Sequence, residues 1–164
     1  MPIKMTPQQE PNWCWAAVAS AVRTFFSPAA PTTQCSIANP VLVGEGQIGE
    51  VVNCCANAGQ CDKPALLEDA LNAVNSLKQK ATGFLAFAAV EAELNAGRPI
   101  GVRIQWSDGG GHFILIDGFR VFSSGAQQVH VADPFYGPCY MLHSALVNNY
   151  LNDGVWTHTY FVHS

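Results

Sequence analysis

The sequence predicts an α+β domain with two lobes, a helical lobe over about residues 12–97 and a lobe of strands over about 98–164. In the first half, apolar residues recur at the spacing of a helix face. After Pro99, β-branched and aromatic residues dominate, and glycine-containing turns separate the apolar runs. The length of 164 residues without an internal repeat predicts one domain over 1–164.

Composition excludes several classes of protein. With 49% hydrophobic and 12% charged residues, the chain is globular rather than disordered. A net charge of -4 and 8 scattered Lys and Arg residues predict no nucleic-acid partner. No apolar run approaches the roughly 20 residues of a membrane helix. We therefore expect neither a nucleic-acid nor a membrane partner. We also expect a monomer, although the sequence carries no signal for the oligomeric state.

The chain begins with an extended, proline-punctuated lead-in over residues 1–13, which has no apolar core of the kind found in signal peptides. From Cys14, the stretch CWAAVASAVRTFF predicts a helix, because it is rich in alanine and reaches Ser27-Pro28 without proline or glycine. Asn12 is a suitable N-cap for this helix. Residues 28–63 contain many turn-forming residues and most of the cysteines, so we expect a loop-rich, cross-linked segment.

Two more helices are predicted before Pro99. Pro64 suits the first turn of a helix over PALLEDALNAVNSLKQ. Its apolar residues follow helical spacing at Leu67, Leu71, Val74 and Leu77. A further helix is predicted over FAAVEAELNAG, with Gly97 ending it.

Four strands are predicted in the second half, at IGVRIQW, HFILIDGFRVF, AQQVHVADP and VWTHTYFV. Turns containing glycine or proline separate them. A short helix is predicted between the last two strands, at SALVNNYLND.

Four of the 6 cysteines cluster in a segment rich in Gly, Asn and Pro. The four are Cys35, Cys54, Cys55 and Cys61. Such a cluster predicts one or two disulfides and an oxidising destination, with the pairing left open. A zinc site is the alternative, and it is less favoured because no C-x2-C pair occurs. Cys14 and Cys139 stand apart from the cluster.

Cys14 is the candidate nucleophile. A cysteine attacks as its thiolate, and the positive end of a helix dipole stabilises an anion where Cys14 begins its predicted helix. Trp13 and Trp15 flank it and are candidate walls of a cleft. The alternative is a buried cysteine on an alanine-rich helix.

A histidine base must lie within hydrogen-bond reach of such a nucleophile. Among 5 histidines, His112 alone follows three glycines and precedes an apolar strand. A loop without side chains leaves room for a substrate, so Gly110 and Gly111 are candidate cleft residues. The alternative for His112 is a histidine that merely begins a strand.

The base needs an acceptor on its other ring nitrogen, and Asp117 and Asp133 are the nearby candidates. Asp117 points to the opposite face from His112 if the strand is regular. Asp133 ends the next strand and can lie beside His112, although Asp133-Pro134 is also a common start of a turn.

Hydrogen-bond donors must also stabilise an oxyanion. The backbone N–H of Cys14, at the start of its helix, is one candidate. Gln8, six residues upstream, can supply a side-chain amide, and Gln9 is the adjacent competitor.

The ordered motifs resemble those of bacterial papain-like cysteine peptidases. Gln8 and Cys14-Trp15 have the spacing of the oxyanion glutamine and catalytic cysteine of that superfamily, and NWCWAAVAS resembles the nucleophile motif of peptidases related to the avirulence peptidases of plant pathogens. GGGHFILIDGF and VADPFYG resemble the His and Asp blocks of the same group and, more distantly, of bacteriocin leader peptidases. The resemblance covers nearly the whole chain.

This resemblance implies hydrolysis of peptide bonds through a thioester, in a cleft between a helical lobe and an antiparallel sheet lobe. It implies that Cys14 is the nucleophile and His112 the general base and acid. It also implies Asp133 as the residue that orients His112, and Gln8 as an oxyanion donor. Papain itself has Asn where this chain has Asp133, and the added negative charge should raise the pKa of a neighbouring histidine.

The resemblance also implies a peptide or protein substrate and no cofactor or metal. Cys-His-Asp sites can instead catalyse acyl transfer, transglutamination or deamidation, and a degenerate site can belong to a non-enzymatic binding module. Related peptidases are often secreted or delivered into other cells, which agrees with the cysteine cluster. Since no signal peptide is visible, a cytoplasmic location is the alternative.

Overall fold

The computed structural model describes residues 3–164, which form a six-stranded antiparallel sheet and five α-helices. The strands are Leu77–Thr82 (β1), Ile100–Gln105 (β2), Gly111–Val121 (β3), Gln127–Ala132 (β4), Cys139–Leu142 (β5) and Val155–Val162 (β6). The helices are Cys14–Phe26 (α1), Gln34–Gly44 (α2), Leu67–Ala73 (α3), Phe87–Asn95 (α4) and His143–Asn148 (α5), with a 3-10 helix at Ala58–Cys61. The predicted α+β class is confirmed.

Helices cover both faces of the sheet, whose strand order is β1-β6-β2-β3-β4-β5. Along β3, Phe113 and Leu115 pack into a core with α1, α2 and α3. Ile114 and Ile116 point the other way, into a second core with α4 and α5. Since successive strand residues face opposite sides, a strand covered on both faces has a continuous apolar sequence, as here.

Helix α1 is the central helix of the first core. Every residue from Cys14 to Ala19 is buried, and the small alanine side chains let the helix backbone approach α2, α3 and β3. This packing sets the N-terminus of α1 against the start of β3. Within the described residues, no helix is long and apolar enough to cross a membrane.

The predicted helix from Pro64 is too long. Helix α3 ends at Ala73, and Asn75 adopts a left-handed conformation with φ 53°. Asparagine tolerates that conformation better than most residues. The chain then enters β1, which pairs with β6. Non-local pairing therefore overrides the helical spacing of Leu77, and β1 lies within the region predicted as helical.

Three other local predictions differ from the structure. The segment expected to be loop-rich contains α2, whose N-cap Thr33 accepts a hydrogen bond from the Ser36 N–H. Strand β5 was not predicted, because its 4 residues are too few for a pattern to show. Asn12 is not the N-cap of α1. Trp13 takes that position without a side-chain bond, and the Asn12 N–H instead donates to the Asp62 carboxylate.

Two disulfides join the clustered cysteines, Cys35–Cys55 and Cys54–Cys61. The predicted cross-linking is confirmed, and the zinc alternative is wrong. In the chain-entropy model, closing the longer loop contributes about 3 kcal/mol and the shorter about 2 kcal/mol to stability. Cys14 is buried and Cys139 exposed, and neither joins a disulfide.

Candidate active site

A cleft of about 210 Å³ opens between the N-terminus of α1 and the start of β3. Gln8, Cys14 and His112 all line it. The proposed cleft residues Trp15 and Gly111 also line it. Trp13 and Gly110 lie elsewhere. Trp13 is fully buried in the core, and the Gly110 carbonyl accepts from the Trp106 N–H in the β2–β3 turn.

Cys14 is the first residue of α1 and is 8% exposed. Backbone N–H groups in the first turn of a helix have no earlier helical carbonyl to donate to. They create a positive end, which no acidic residue offsets in the first turn of α1. The first turn of α1 therefore places unpaired backbone N–H groups and the positive end of the helix beside the Cys14 sulfur.

The residues beside Cys14 are anchored to a disulfide-linked loop. The indole N–H groups of Trp13 and Trp15 donate to backbone carbonyls in segment 61–63, and the Asn12 N–H donates to a carboxylate of the same segment. That segment begins at the disulfide Cys54–Cys61. The two tryptophans thus hold the start of α1 in place, a role that the sequence did not indicate for Trp13.

His112 hydrogen-bonds to Asp133 through Nε2, at 2.9 Å, and both residues are buried. Asp133 does not engage the other ring nitrogen, and His112 lines the same cleft as Cys14. The antiparallel pairing of β3 with β4 accounts for the contact between His112 and Asp133, because it brings the end of β4 beside the beginning of β3. The structure thus brings Cys14, His112 and Asp133 together in that order.

The Asp133 carboxylate is fully hydrogen-bonded. Oδ1 accepts from the backbone N–H groups of Phe135 at 2.6 Å and Tyr136 at 2.8 Å. Oδ2 accepts from His112 and from the Tyr150 hydroxyl, the latter at 2.5 Å. Burial alone would raise the pKa of Asp133, but these donors outweigh it and lower the pKa. The carboxylate is therefore ionised at neutral pH.

Burial opposes protonation of His112. The hydrogen bond to Asp133 and the negative charge of its carboxylate outweigh that effect, with a further contribution from Cys14, and raise the pKa of His112 to about 9. The imidazole is therefore an imidazolium at neutral pH, paired with the Asp133 carboxylate. A neighbouring imidazolium is one of the surroundings that favour a cysteine thiolate.

We expect thermal stability to decline above neutral pH in a way that depends on His112. The pKa of His112 is higher in the folded state, at about 9, than in the unfolded chain, at about 6.5. Its contribution is therefore fully present below pH ~6.5 and is lost as pH rises through ~9. Differential scanning fluorimetry from pH 6 to 10 should show a fall in Tm of several degrees that His112→Gln largely removes. If Tm fell equally with pH in the wild type and in His112→Gln, the raised pKa of His112 would not explain the loss of stability.

Asp133 has the opposite effect on stability, because its pKa is lowered on folding. Its contribution is present above the unfolded value of about 3.9 and is lost as pH falls through the lower, folded value. Together, His112 and Asp133 stabilise the fold most strongly between about pH 4 and 6.5.

Gln8 lies at the cleft, but its amide is engaged elsewhere. The side-chain N–H groups donate to the carbonyls of Glu10 at 3.0 Å and Pro11 at 2.6 Å. Its Oε1 is buried, with no hydrogen-bond partner among the described residues. The Gln8 backbone N–H donates to the Pro134 carbonyl at 2.9 Å, which ties the lead-in to the residue after Asp133.

Gln34 holds the lead-in on the other side. Its buried amide donates to the Pro7 carbonyl at 2.9 Å and accepts from the Gln9 N–H at 2.9 Å. These two bonds bracket Gln8 and fix its backbone. The side chain of Gln9, the competitor considered from the sequence, is exposed.

Asp117 is turned away from His112. Its carboxylate accepts from the His130 ring and from the Ile3 N–H, and it is 1% exposed. The alternation of side chains along β3 accounts for this separation. Asp117 therefore anchors the lead-in and is not part of the cleft.

Two aromatic residues at the site could not be found from the sequence. Trp106 stacks on His112, with ring centroids 6.2 Å apart, and Tyr150 stacks on Trp106 at 6.1 Å. A tryptophan before a glycine loop offered a weak signal. A tyrosine inside a stretch predicted as a short helix offered none. Within residues 3–164, no three potential metal ligands lie together.

Comparison with known proteins gives one sequence match and a structural similarity. The family model described as "Peptidase_C39 like family" matches residues 1–162. No curated protein matches the sequence. Among solved structures, the crystal structure of the Pseudomonas avirulence protein AvrPphB is similar, with a TM-score of 0.45 and 12% sequence identity. The match covers 99% of this chain and 98% of that one.

Proposed function

Because the chain belongs to the peptidase C39-like family and is a cysteine peptidase, we propose that Cys14, His112 and Asp133 form its catalytic triad. One observation carries this proposal: a buried imidazole hydrogen-bonds to a buried carboxylate and lines the same cleft as a cysteine at a helix start, which contributes to the raised pKa of that imidazole. This is the order of nucleophile, base and orienting group that covalent acyl transfer requires.

The first half of the reaction forms a thioester. The Cys14 thiolate attacks the scissile carbonyl carbon, and the π electron pair moves onto the carbonyl oxygen. As the tetrahedral intermediate collapses, the C–N bond breaks and the His112 imidazolium gives its proton to the leaving amine. The new amino terminus departs, and the acyl group remains on the Cys14 sulfur.

The second half releases the acid. Neutral His112 takes a proton from water as the water oxygen attacks the thioester carbonyl. The C–S bond then breaks, and the imidazolium is restored beside the thiolate. Asp133 stays ionised throughout and stabilises the imidazolium whenever it forms.

The oxyanion forms at the N-terminus of α1, where the Cys14 N–H is the first donor. We assign Gln8 as the second donor, which requires its amide to turn from the carbonyls of Glu10 and Pro11 toward the cleft. Its position in the cleft lining and the unpaired, buried Oε1 support this assignment. A buried acceptor without a partner destabilises the resting orientation and lowers the cost of turning.

Gln8→Ala is expected to lower kcat by about 10²-fold, because one oxyanion donor is lost, while KM changes little. Steady-state kinetics on a peptide substrate, with Tm measured in parallel, tests this. Gln9→Ala is the control, since it removes an adjacent, exposed glutamine side chain. If the Gln8→Ala enzyme kept the wild-type kcat and only its Tm were lower, Gln8 would stabilise the lead-in and would not be an oxyanion donor.

The substrate is a peptide segment of a protein, cleaved internally. A second cavity of about 470 Å³ adjoins the catalytic cleft and shares Pro64, Ala65, Gly111 and Phe113 with it. A longer substrate can therefore extend beyond the scissile bond. Because disulfides persist in oxidising compartments, we also propose that the enzyme acts after secretion or delivery to another cell.

Mass spectrometry of a diverse peptide library tests the function. New termini at internal positions, each pair accounted for by one added water, are expected. Cys139→Ser serves as the matched control, because it removes the other free thiol and should leave the products unchanged. Ammonia release from intact peptides would instead indicate a deamidase, and joined peptides an acyltransferase or transglutaminase.

A further inference from the structure

We propose that Tyr150 is a positioning residue of the active site, which acts on His112 through Asp133 and sets the pH above which the enzyme loses activity. The inference rests on the proposed triad and extends it by one residue. The sequence did not single out Tyr150, and it lies 17 residues beyond Asp133 in the chain.

The contact is direct and buried. The Tyr150 hydroxyl donates to Oδ2 of Asp133 at 2.5 Å, the same oxygen that accepts from His112 Nε2 at 2.9 Å. Tyr150 is 1% exposed and Asp133 is 2% exposed. Two donors therefore share one carboxylate oxygen, and strengthening either bond weakens the other.

The backbone around Tyr150 is built to hold this contact. Tyr150 and Gly154 exchange two backbone hydrogen bonds, at 2.8 and 2.7 Å, around a turn in which Leu151 and Asn152 have positive φ values of 50° and 68°. A Cβ atom on Gly154 would lie 2.4 Å from the Ile104 side chain. A left-handed leucine is costly, although asparagine tolerates this conformation, so the packing around the turn must hold Leu151 in place.

Aromatic stacking couples the same residue to the base. Trp106 lies between Tyr150 and His112, with interplanar angles of 29° and 20°. Trp106 and Tyr150 thus cover one side of the His112–Asp133 pair. We infer that they keep the pair oriented and limit the access of water, which strengthens the electrostatic interaction between His112 and Asp133.

The hydroxyl remains a neutral donor over the working pH range. Burial, followed by the charge of Asp133, raises the pKa of Tyr150 far above its usual value. The other titratable groups that face this pair are Cys14 on α1, Tyr136 after β4, and Cys139 on β5. Burial and the Asp133 charge raise the pKa of Cys139, so its thiol stays neutral near pH 7.

The hydrogen bond from the Tyr150 hydroxyl weakens the interaction between the Asp133 carboxylate and the His112 imidazolium. Without the hydroxyl, Oδ2 would accept from His112 alone, and the proton on His112 would be bound more tightly. A weaker general acid transfers its proton to the leaving amine more slowly. Tyr150 therefore lowers the pKa of His112 toward a value useful for proton transfer.

The test compares Tyr150→Phe with Tyr160→Phe. Tyr160 is a matched control, because it is equally buried and its hydroxyl also donates to a carboxylate, that of Glu68, at 3.1 Å. It lies on β6, which β2 and β3 separate from β4 in the sheet. For Tyr150→Phe, we expect kcat near pH 7 to fall about tenfold and the alkaline limb of kcat/KM to move up by about half to one pH unit. For Tyr160→Phe, we expect a lower Tm and a superimposable pH profile.

An NMR titration of the His112 ring, followed without substrate, separates this inference from the proposed function. An upward shift in the midpoint of His112 in Tyr150→Phe, but not in Tyr160→Phe, supports the role of Tyr150 whatever reaction the site catalyses. A His112 midpoint that is the same in wild type and both variants, with only Tm lowered, would overturn it and leave Tyr150 a structural residue.

Discussion

Cys14→Ala is expected to lower kcat/KM by at least about 10⁴-fold while preserving the fold. In the proposed mechanism, the Cys14 sulfur forms the covalent acyl bond, and the base and oxyanion donors act together with it. The Cys14 side chain takes part in no disulfide and lies at the cleft, so its removal leaves a small gap rather than a broken cross-link. Kinetics and circular dichroism on the purified variant measure both expectations.

Cys139→Ala is the control for thiol loss. It removes an exposed free cysteine that lies outside the cleft lining. Its kcat/KM should stay within about twofold of wild type. If Cys14→Ala retained more than about a tenth of wild-type turnover, the sulfur of residue 14 would not be the nucleophile.

Asp133→Asn is expected to lower kcat by about 10³- to 10⁴-fold, although papain itself has Asn at the corresponding position of its motif. Here the N–H groups of Phe135 and Tyr136 both point at Oδ1. An Asn side chain must place its oxygen there, which turns its NH2 group toward His112. Nε2 would then accept rather than donate, and the proton would move to the nitrogen that faces Cys14. That tautomer cannot take a proton from the thiol.

Asp117→Asn is the matched control for this prediction. Asp117 is also buried, paired with a histidine and bonded to a backbone N–H, but it lies away from the cleft. Its variant should lose stability and keep kcat within about tenfold of wild type. Equal losses of kcat in both variants would show that the carboxylates act through the fold rather than through His112.

The parts of the site that could be predicted are those with local signals. The placement of Cys14 could be predicted because an alanine-rich helix begins at it, and that of His112 because a glycine loop leads into an apolar strand. The separation of Asp117 from His112 followed from strand alternation alone. These features depend on neighbouring residues, which the sequence displays directly.

The parts that could not be predicted depend on distant residues. Leu77 continues a helical pattern, yet pairing with β6 makes it the start of a strand. Tyr150 reaches Asp133 because a tight turn places its ring against Trp106. Trp13 looked like a cleft wall, but its indole finds an acceptor in the disulfide-linked loop. The orientation of the Gln8 amide depends on carbonyls whose positions no pattern specifies.

The disulfides show a similar division. Clustering and composition predicted cross-links, but four cysteines allow three pairings. Helix α2, hidden by Pro40 and the surrounding turn formers, sets which sulfurs meet. The resulting loop then anchors the residues on both sides of the nucleophile, so the cross-links support the geometry of the site as well as stability.

The rate of alkylation by iodoacetamide at about pH 5.5, with the modified residue identified by mass spectrometry, tests most directly whether an imidazolium holds Cys14 as a reactive thiolate. Cys139 is an internal reference, since its pKa is raised. The account predicts rapid labelling of Cys14 alone and at least a tenfold slower rate in His112→Ala, by the loss of the ion pair. The account would be contradicted if Cys139 were labelled before Cys14, or if Cys14 were alkylated at the same rate in the wild type and in His112→Ala.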